Sequence, residues 1–341
     1  MFSVTPGALA AFGWTDRVLA LFSEVDDQTV EPARVVRVER STCAAVFGDR
    51  SERLLHAAVL PAVGDWIAVR AESVHAVLPR WSVLSRADPS GSSVQVLAAN
   101  LDLVVITAPA DRLSPARVER ELAVAWESGA QPLVALTKCD LADESVERSL
   151  AERLVGAEVL ATSAATGRGI EDLRQRLRPA RTAVLLGPSG AGKSTLANAL
   201  LGTDLLATGA VRHADQRGRH TTTSRQLVTV PGGGVLIDTP GLRSLGLAGE
   251  VPVELAFPDI DTLADGCRFS DCRHQTEPGC AVVAAASNGE LDQDRLVSFR
   301  KLQREAAAEA RRTDPLLRQA ELSIWKARVK SARINDKRRG R

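Results

Sequence analysis

The nine residues GPSGAGKST at Gly187 to Thr195 constrain the fold of this 341-residue chain more than any other segment. The pattern GxxxxGK[ST] has chemical meaning only where a strand runs into a glycine-rich loop that opens a helix. Both flanks comply, since RTAVLLG reads as a short buried strand and STLANALLG has the apolar spacing of a helix. Backbone N–H groups from Gly187, Pro188's successor Ser189, Gly190, Ala191 and Gly192 are then expected to wrap phosphates at the helix N-terminus. Lys193 reaches the β- and γ-phosphates, Ser194 offers its hydroxyl to Mg²⁺, and Thr195 continues the helix.

A second strand is predicted in GGVLIDTPGLR, ending in Asp238 before a Pro-Gly turn. This is the form of a carboxylate that holds Mg²⁺ through water, with the Gly241 N–H meeting the γ-phosphate. The polar stretch from Leu206 to Ser224 ends in GRHTTTS and fits a switch loop whose threonine closes on Mg²⁺. Thr221, Thr222 and Thr223 all qualify by spacing, and Thr222 is taken as the ligand. Position 242 is Leu, which cannot orient an attacking water as the Gln of other nucleotide hydrolases does. His220 is the nearest polar candidate for that task, against the alternative of a solvated loop histidine.

Base recognition is predicted ahead of the phosphate loop. QPLVALTKCD reads as a buried strand that delivers Asp140 to a loop, where a carboxylate accepts from both N1–H and the exocyclic amine of guanine. Lys138 lays its alkyl stem over the base. Thr137 stands where Asn is usual, so the amide that ties this loop to the phosphate loop is expected to be lost. EVLATSAATGRGI follows as a strand and turn, with Ser163 and Ala164 placed to present a backbone N–H to the guanine carbonyl. Base loop before phosphate loop is the reverse of the usual order and marks a circularly permuted domain.

CRFSDCRHQTEPGC brings Cys267, Cys272, His274 and Cys280 into one irregular segment. Three thiolates and an imidazole form a tetrahedral Zn²⁺ set, and four protein ligands make the site structural rather than catalytic. Disulfides are the competing reading, and the interleaved His together with the lack of a secretory signal argues for metal. Cys43 and Cys139 remain outside the set. With 45% hydrophobic residues and no run long enough to span a bilayer, the expectation is a cytoplasmic protein without a membrane partner.

The expected architecture is multidomain α/β. Residues 1–30 form an N-terminal extension with a possible short helix. Residues 31–90 form an OB-type barrel, from the alternating runs ARVVRVE, TCAAVFG, RLLHAAV, GDWIAVR and HAVLPRWSVL. Trp66 and Trp81 sit in those runs as core residues or as stacking platforms for bases. Residues 91–245 alternate strands and helices in a parallel sheet, and residues 246–341 form a zinc-binding helical module with a basic tail. From Lys326 to Arg341 eight Lys or Arg face one Asp, a local +7 in a chain of net +1 that leaves −6 for the rest. Such a tail suits a phosphate backbone, or simply solvates a disordered end.

The barrel with VGDW, the order TKCD, SAATGRG, GPSGAGKST, GRHTTT and DTPGL, and the CRFSDCRHQTEPGC cluster together resemble the ribosome small-subunit-dependent GTPase A family, over roughly Glu31 to the C-terminus. The resemblance implies a GTPase that binds the small ribosomal subunit and its rRNA late in maturation and helps release an assembly factor. It implies slow hydrolysis alone and faster hydrolysis on the subunit. It assigns one structural Zn²⁺ to Cys267, Cys272, His274 and Cys280, and Mg²⁺ with GTP to the phosphate loop. The family also has a hydrophobic residue at the position of Leu242 and a switch-loop His matching His220. A monomer exchanging GTP and GDP is expected. The rival readings are a GTP-binding RNA chaperone with negligible hydrolysis and a GTP-dependent metal-handling protein.

Overall fold

The fold is that of a computed structural model, which describes residues 9–48, 50–56, 60–87, 94–203, 225–238 and 252–313. A short amphipathic helix, α1 (Asp16–Ser23), buries Val18 and Phe22 and precedes five strands. These are β1 (Glu31–Val38), β2 (Thr42–Phe47), β3 (Arg50–Leu55), β4 (Trp66–Arg70) and β5 (Ser73–Val77). They pair in the circular order β1-β2-β3-β5-β4-β1, with β3 parallel to β5 and the other pairs antiparallel. A five-stranded closed barrel of this kind removes its own sheet edges. The run HAVLPRWSVL does not form one strand. Pro79 and Arg80 separate β5 from β6 (Val83–Ala87), which pairs instead with β7 (Val94–Ala99) in a two-stranded hairpin.

Trp66 is 1% exposed, edge-on to Trp14 at 5.3 Å and covered by the Arg34 guanidinium at 5.0 Å, so it belongs to the barrel core. Trp81 is half-buried with Arg17 over its ring at 4.4 Å. Trp66 offers no open face to a stacked base, and Arg17 covers one face of Trp81. In VGDW, Asp65 takes a bidentate pair from Arg80 (2.7 and 2.6 Å) and the Ala62 N–H (2.6 Å), which pins the loop entering β4.

The second layer is a sheet of β8 (Leu103–Pro109), β9 (Gln131–Thr137), β10 (Glu158–Ala161), β11 (Thr182–Leu186), β12 (Gln226–Thr229) and β13 (Val235–Asp238). Its order is β10-β9-β8-β11-β13-β12. All neighbours are parallel except β12, which returns antiparallel beside β13 and continues through Arg37↔Gln226 into the barrel strand β1. The alternating pattern predicts the parallel strands. At four residues, β12 is too short to show a period. Helices α2 (Pro115–Glu127), α3 (Glu144–Arg153), α4 (Ile170–Arg176) and α5 (Lys193–Leu201) cover the two faces, and β8 and β11 are buried along their whole length.

Beyond the sheet the described chain is helical: α6 (Pro258–Ala264), α7 (Ala281–Asn288) and α8 (Gln293–Thr313). Phe257 (0% exposed) and Phe299 meet edge-on at 5.3 Å, and their cluster is continuous with the core under α2. A buried ion network crosses this junction. Glu119 Oε1 on α2 accepts from Arg153 Nε (2.8 Å) and from Arg295 of α8 (3.1 Å). Arg295 also holds Asp259 of α6 through two 2.6 Å bonds, and Arg153 reaches Asp292 at 2.7 Å. Glu119 and Arg295 are 0% and 3% exposed, so their charges are compensated within this network, with Arg153 and Asp259 sharing the task. Replacing Arg295 by Met is expected to cost about 3–5 kcal/mol, because buried Glu119 keeps only Arg153 and Asp259 loses both of its bonds. Limited proteolysis should then release the C-terminal helices early, and the double variant with Glu119→Gln should recover much of the loss.

Candidate functional site

The sheet places every described nucleotide-site residue at the carboxyl ends of its strands, where ligands of open α/β sheets bind. β11 ends at Leu186 and turns into the phosphate loop at Gly187, whose φ is +148°. A Cβ there would lie 2.2 Å from Thr107 Oγ1 and 2.7 Å from the Thr107 carbonyl oxygen, so only glycine fits against the end of β8. Thr107, fully buried, donates its hydroxyl to Leu186 O at 2.9 Å and locks the entry of the loop. Gly192 takes a left-handed conformation as the N-cap of α5. Lys193 Nζ donates to the Gly187 and Pro188 carbonyls, both at 2.7 Å, so the ammonium is curled over its own loop. Ser189, Gly190 and Thr195 are exposed, Ala191 is buried and Ser194 is half-buried at the first turn of α5. Asp238 ends β13 directly beside β11, through the register Val184↔Ile237.

The base-reading residues arrive at the same edge. β9 ends at Thr137, Lys138 is left-handed (φ +57°), and Asp140 is exposed on the following 3-10 turn, Cys139–Leu141. Contrary to the expectation from sequence, the loop stays tied to the phosphate loop. Thr137 Oγ1 donates to the Ala191 carbonyl at 2.7 Å, so the hydroxyl does the work assigned to an amide. Lys138 Nζ pairs with Asp111 at 3.1 Å, and Arg112 donates to Gly190 O at 3.1 Å. Asp111 and Arg112 lie on the 3-10 turn after β8, a position no motif marks. Ser163 is 1% exposed, and its carbonyl and hydroxyl accept the Gly167 and Thr166 N–H groups. That turn sets Ala164, half-buried, at the mouth of the site after β10.

The metal set is assembled as the spacing predicts. One ligand atom from each of Cys267, Cys272, His274 and Cys280 lies within 4.8 Å of the others. Cys267 Sγ to Cys280 Sγ is 3.9 Å, and each of these sulfurs is 3.5 Å from His274 Nδ1. A tetrahedron with Zn–S bonds of about 2.3 Å has edges of about 3.8 Å, so these separations are the edges of a coordination polyhedron. They are far too long for disulfides, and all of these cysteines are free. Burial holds the His274 imidazole below its ordinary pKa, in the neutral form a metal requires. Arg300 of α8 donates to the His274 carbonyl (Nε at 2.7 Å), and Glu277 accepts the Arg273, Gln275 and Thr276 N–H groups. These second contacts, which no sequence motif marks, brace the loop that carries the four side chains.

His220, Thr222, Gly241 and Leu242, like the basic tail, lie outside the described residues. Among the described residues, then, the sheet edge gathers the residues expected at phosphate and base, and a separate loop gathers a cluster that could hold a metal. Thr137 gives the sharpest local test. Thr137→Val keeps the shape but strands the buried Ala191 carbonyl, at a cost of about 1–2 kcal/mol. Titration with a fluorescent GDP should show roughly five- to thirtyfold weaker binding, which Thr137→Asn restores. Unchanged affinity in the Val variant would show that the tie is unimportant.

Comparison with known proteins agrees with this geometry. A family model described as RsgA GTPase matches residues 77–248. The small ribosomal subunit biogenesis GTPase RsgA of Opitutus terrae is 43% identical, over 98% of this chain and 99% of that one. The protein of the same name from Streptomyces coelicolor is 46% identical, over 90% of this chain and 89% of its own. Among solved structures, YjeQ from Thermotoga maritima matches with a TM-score of 0.60 at 25% identity, covering 81% of this chain and 98% of that one. YloQ, described as a circularly permuted GTPase, matches in fold with a TM-score of 0.59 at 22% identity, over 83% and 97%. Alike over nearly its whole length to proteins of that name and matched by the family model, the chain belongs to the RsgA GTPase family.

Proposed function

We propose that this GTPase acts in maturation of the small ribosomal subunit, binding the subunit and its rRNA and helping release an assembly factor. The observation that carries the reading is near full-length identity of 43–46% to proteins named small ribosomal subunit biogenesis GTPase. In this reading Gly187, Pro188, Ser189, Gly190, Ala191, Gly192, Lys193, Ser194 and Thr195 hold the phosphates. Thr137, Lys138, Asp140, Ser163 and Ala164 hold guanine, while Ser194, Thr222 and Asp238 serve Mg²⁺. His220 and Gly241 act at the γ-phosphate, where Leu242 leaves water unoriented and intrinsic hydrolysis slow. The Cys267, Cys272, His274 and Cys280 set holds one structural Zn²⁺, which cross-links the loop between α6 and α7. The protein works as a cytoplasmic monomer, with rRNA meeting the barrel and the basic tail.

Nucleotide state reaches the C-terminal module by two routes in this account: along the chain from Gly241, and through α2, whose Glu119 grips Arg295. GTP turnover with purified small subunits, large subunits or neither is the test. Stimulation by small subunits alone is expected, in a preparation carrying one zinc per chain by elemental analysis. Negligible turnover under all three conditions would favour the RNA-chaperone reading instead.

A further inference from the structure

A cavity of about 140 Å³ lies between the start of α2 and the phosphate loop. Thr107, Pro109, Arg112, Arg117, Glu121 and Pro188 are among the residues that line it. Its volume holds a five-atom tetrahedral oxyanion with a water or two, a water occupying about 30 Å³ of liquid. Ser114, the N-cap of the 13-residue α2, also lines the cavity and gives its side chain to no first-turn N–H. The helix therefore presents its positive end there, with a hydroxyl beside it. Arg112 is fixed at the rim by its bond to Gly190 O, and the Arg117 guanidinium makes no hydrogen bond or ion pair within 4 Å. Glu121 is the second observation. It is 5% exposed and lines the same space, and its carboxyl group has neither a hydrogen-bond partner nor an ion pair within 4 Å.

We propose that this cavity is an oxyanion site that receives inorganic phosphate leaving the phosphate loop, bound by Arg117, Arg112, Ser114 and a protonated Glu121. An ionised carboxylate would repel such a ligand, and a neutral one donates a hydrogen bond to it. Burial pushes the Glu121 carboxyl up to about 7, against the pull of Arg117, Lys193 and Arg120. Arg117 and Arg120 share its helix, Lys193 faces it from α5, and Arg112 faces it from the turn after β8. Protonation prevails below pH 7 and is lost above it, so the site binds oxyanions in acid and neutral solution and releases them as pH rises. Pro188 belongs to both the cavity wall and the phosphate loop, and its carbonyl takes Lys193 Nζ, so the two sites adjoin.

Sulfate, which does not titrate in this range, is the probe, and GDP-loaded full-length protein keeps the phosphate loop filled. Calorimetric titration should show saturable sulfate binding at pH 6 that weakens by about tenfold or more at pH 8.5. Arg117→Gln, at an exposed position, should abolish it. Glu121→Gln, a permanent neutral donor, should retain binding and flatten the pH dependence. Absence of saturable binding, or binding that Arg117→Gln leaves intact, overturns the site. The same chemistry is offered by phosphate from solution, and single-turnover hydrolysis distinguishes the sources. Phosphate release that lags cleavage in the wild type, and not in Arg117→Gln, assigns the product. Release coincident with cleavage in both overturns the product assignment and leaves solution phosphate as the ligand.

Discussion

The contact of Gly187 with Thr107 is the constraint on which the nucleotide site depends. β11 lies at the centre of its sheet, between β8 from one side of the sequence and β13 from the other. Its loop can turn over the sheet edge only by pressing its backbone onto the end of β8, where a side chain of any size would collide with Thr107. The hydroxyl of Thr107 on Leu186 O, and that of Thr137 on Ala191 O, then bind the loop to strands encoded 79 and 54 residues earlier. Permutation changes which segments are joined by chain and leaves this packing intact. A sheet edge assembled from parallel strands is indifferent to where the chain begins.

The junction with the C-terminal helices is built on a single element. α2, which follows β8, packs against the 3-10 turn Val253–Ala256 and against α8. Glu119 points into that junction, where Arg153, Arg295 and Asp259 surround it, and Glu121, two residues on, lines the cavity beside the phosphate loop. One helix thus carries a buried carboxylate toward each partner. A buried ion network adds little net stability, because desolvation offsets attraction, and its value lies in fixing one arrangement of the helices it joins. The same α8 also touches the loop of the Cys and His cluster, where Arg300 donates to the His274 carbonyl.

The parts legible in sequence were those set by local patterns. The strand–loop–helix at Gly187 to Thr195 and the cluster of Cys267, Cys272, His274 and Cys280 each rest on short spacings, and the buried runs of β8, β9 and β11 read as strands for the same reason. Long-range contacts were not legible. Thr137 looks like a loss when set against Asn, because its acceptor on Ala191 is 54 residues away. Glu119 and Arg295 are ordinary charges on amphipathic helices until folding places them 3.1 Å apart, 176 residues separated. The run HAVLPRWSVL shows alternation without showing that Pro79 divides it between two sheets, and Trp66 shows its aromatic ring without showing Trp14 and Arg34 upon it.

A phosphate loop held against β8 by a backbone contact that only glycine permits should lose guanine nucleotide when that contact is broken. The decisive experiment is the affinity of Gly187→Ala for a fluorescent GDP, measured alongside zinc content. The predicted result is binding weaker by on the order of a hundredfold, about 2.7 kcal/mol, with one zinc per chain retained because the metal loop lies in a separate module. Near wild-type affinity in a folded, zinc-loaded Gly187→Ala protein would contradict it.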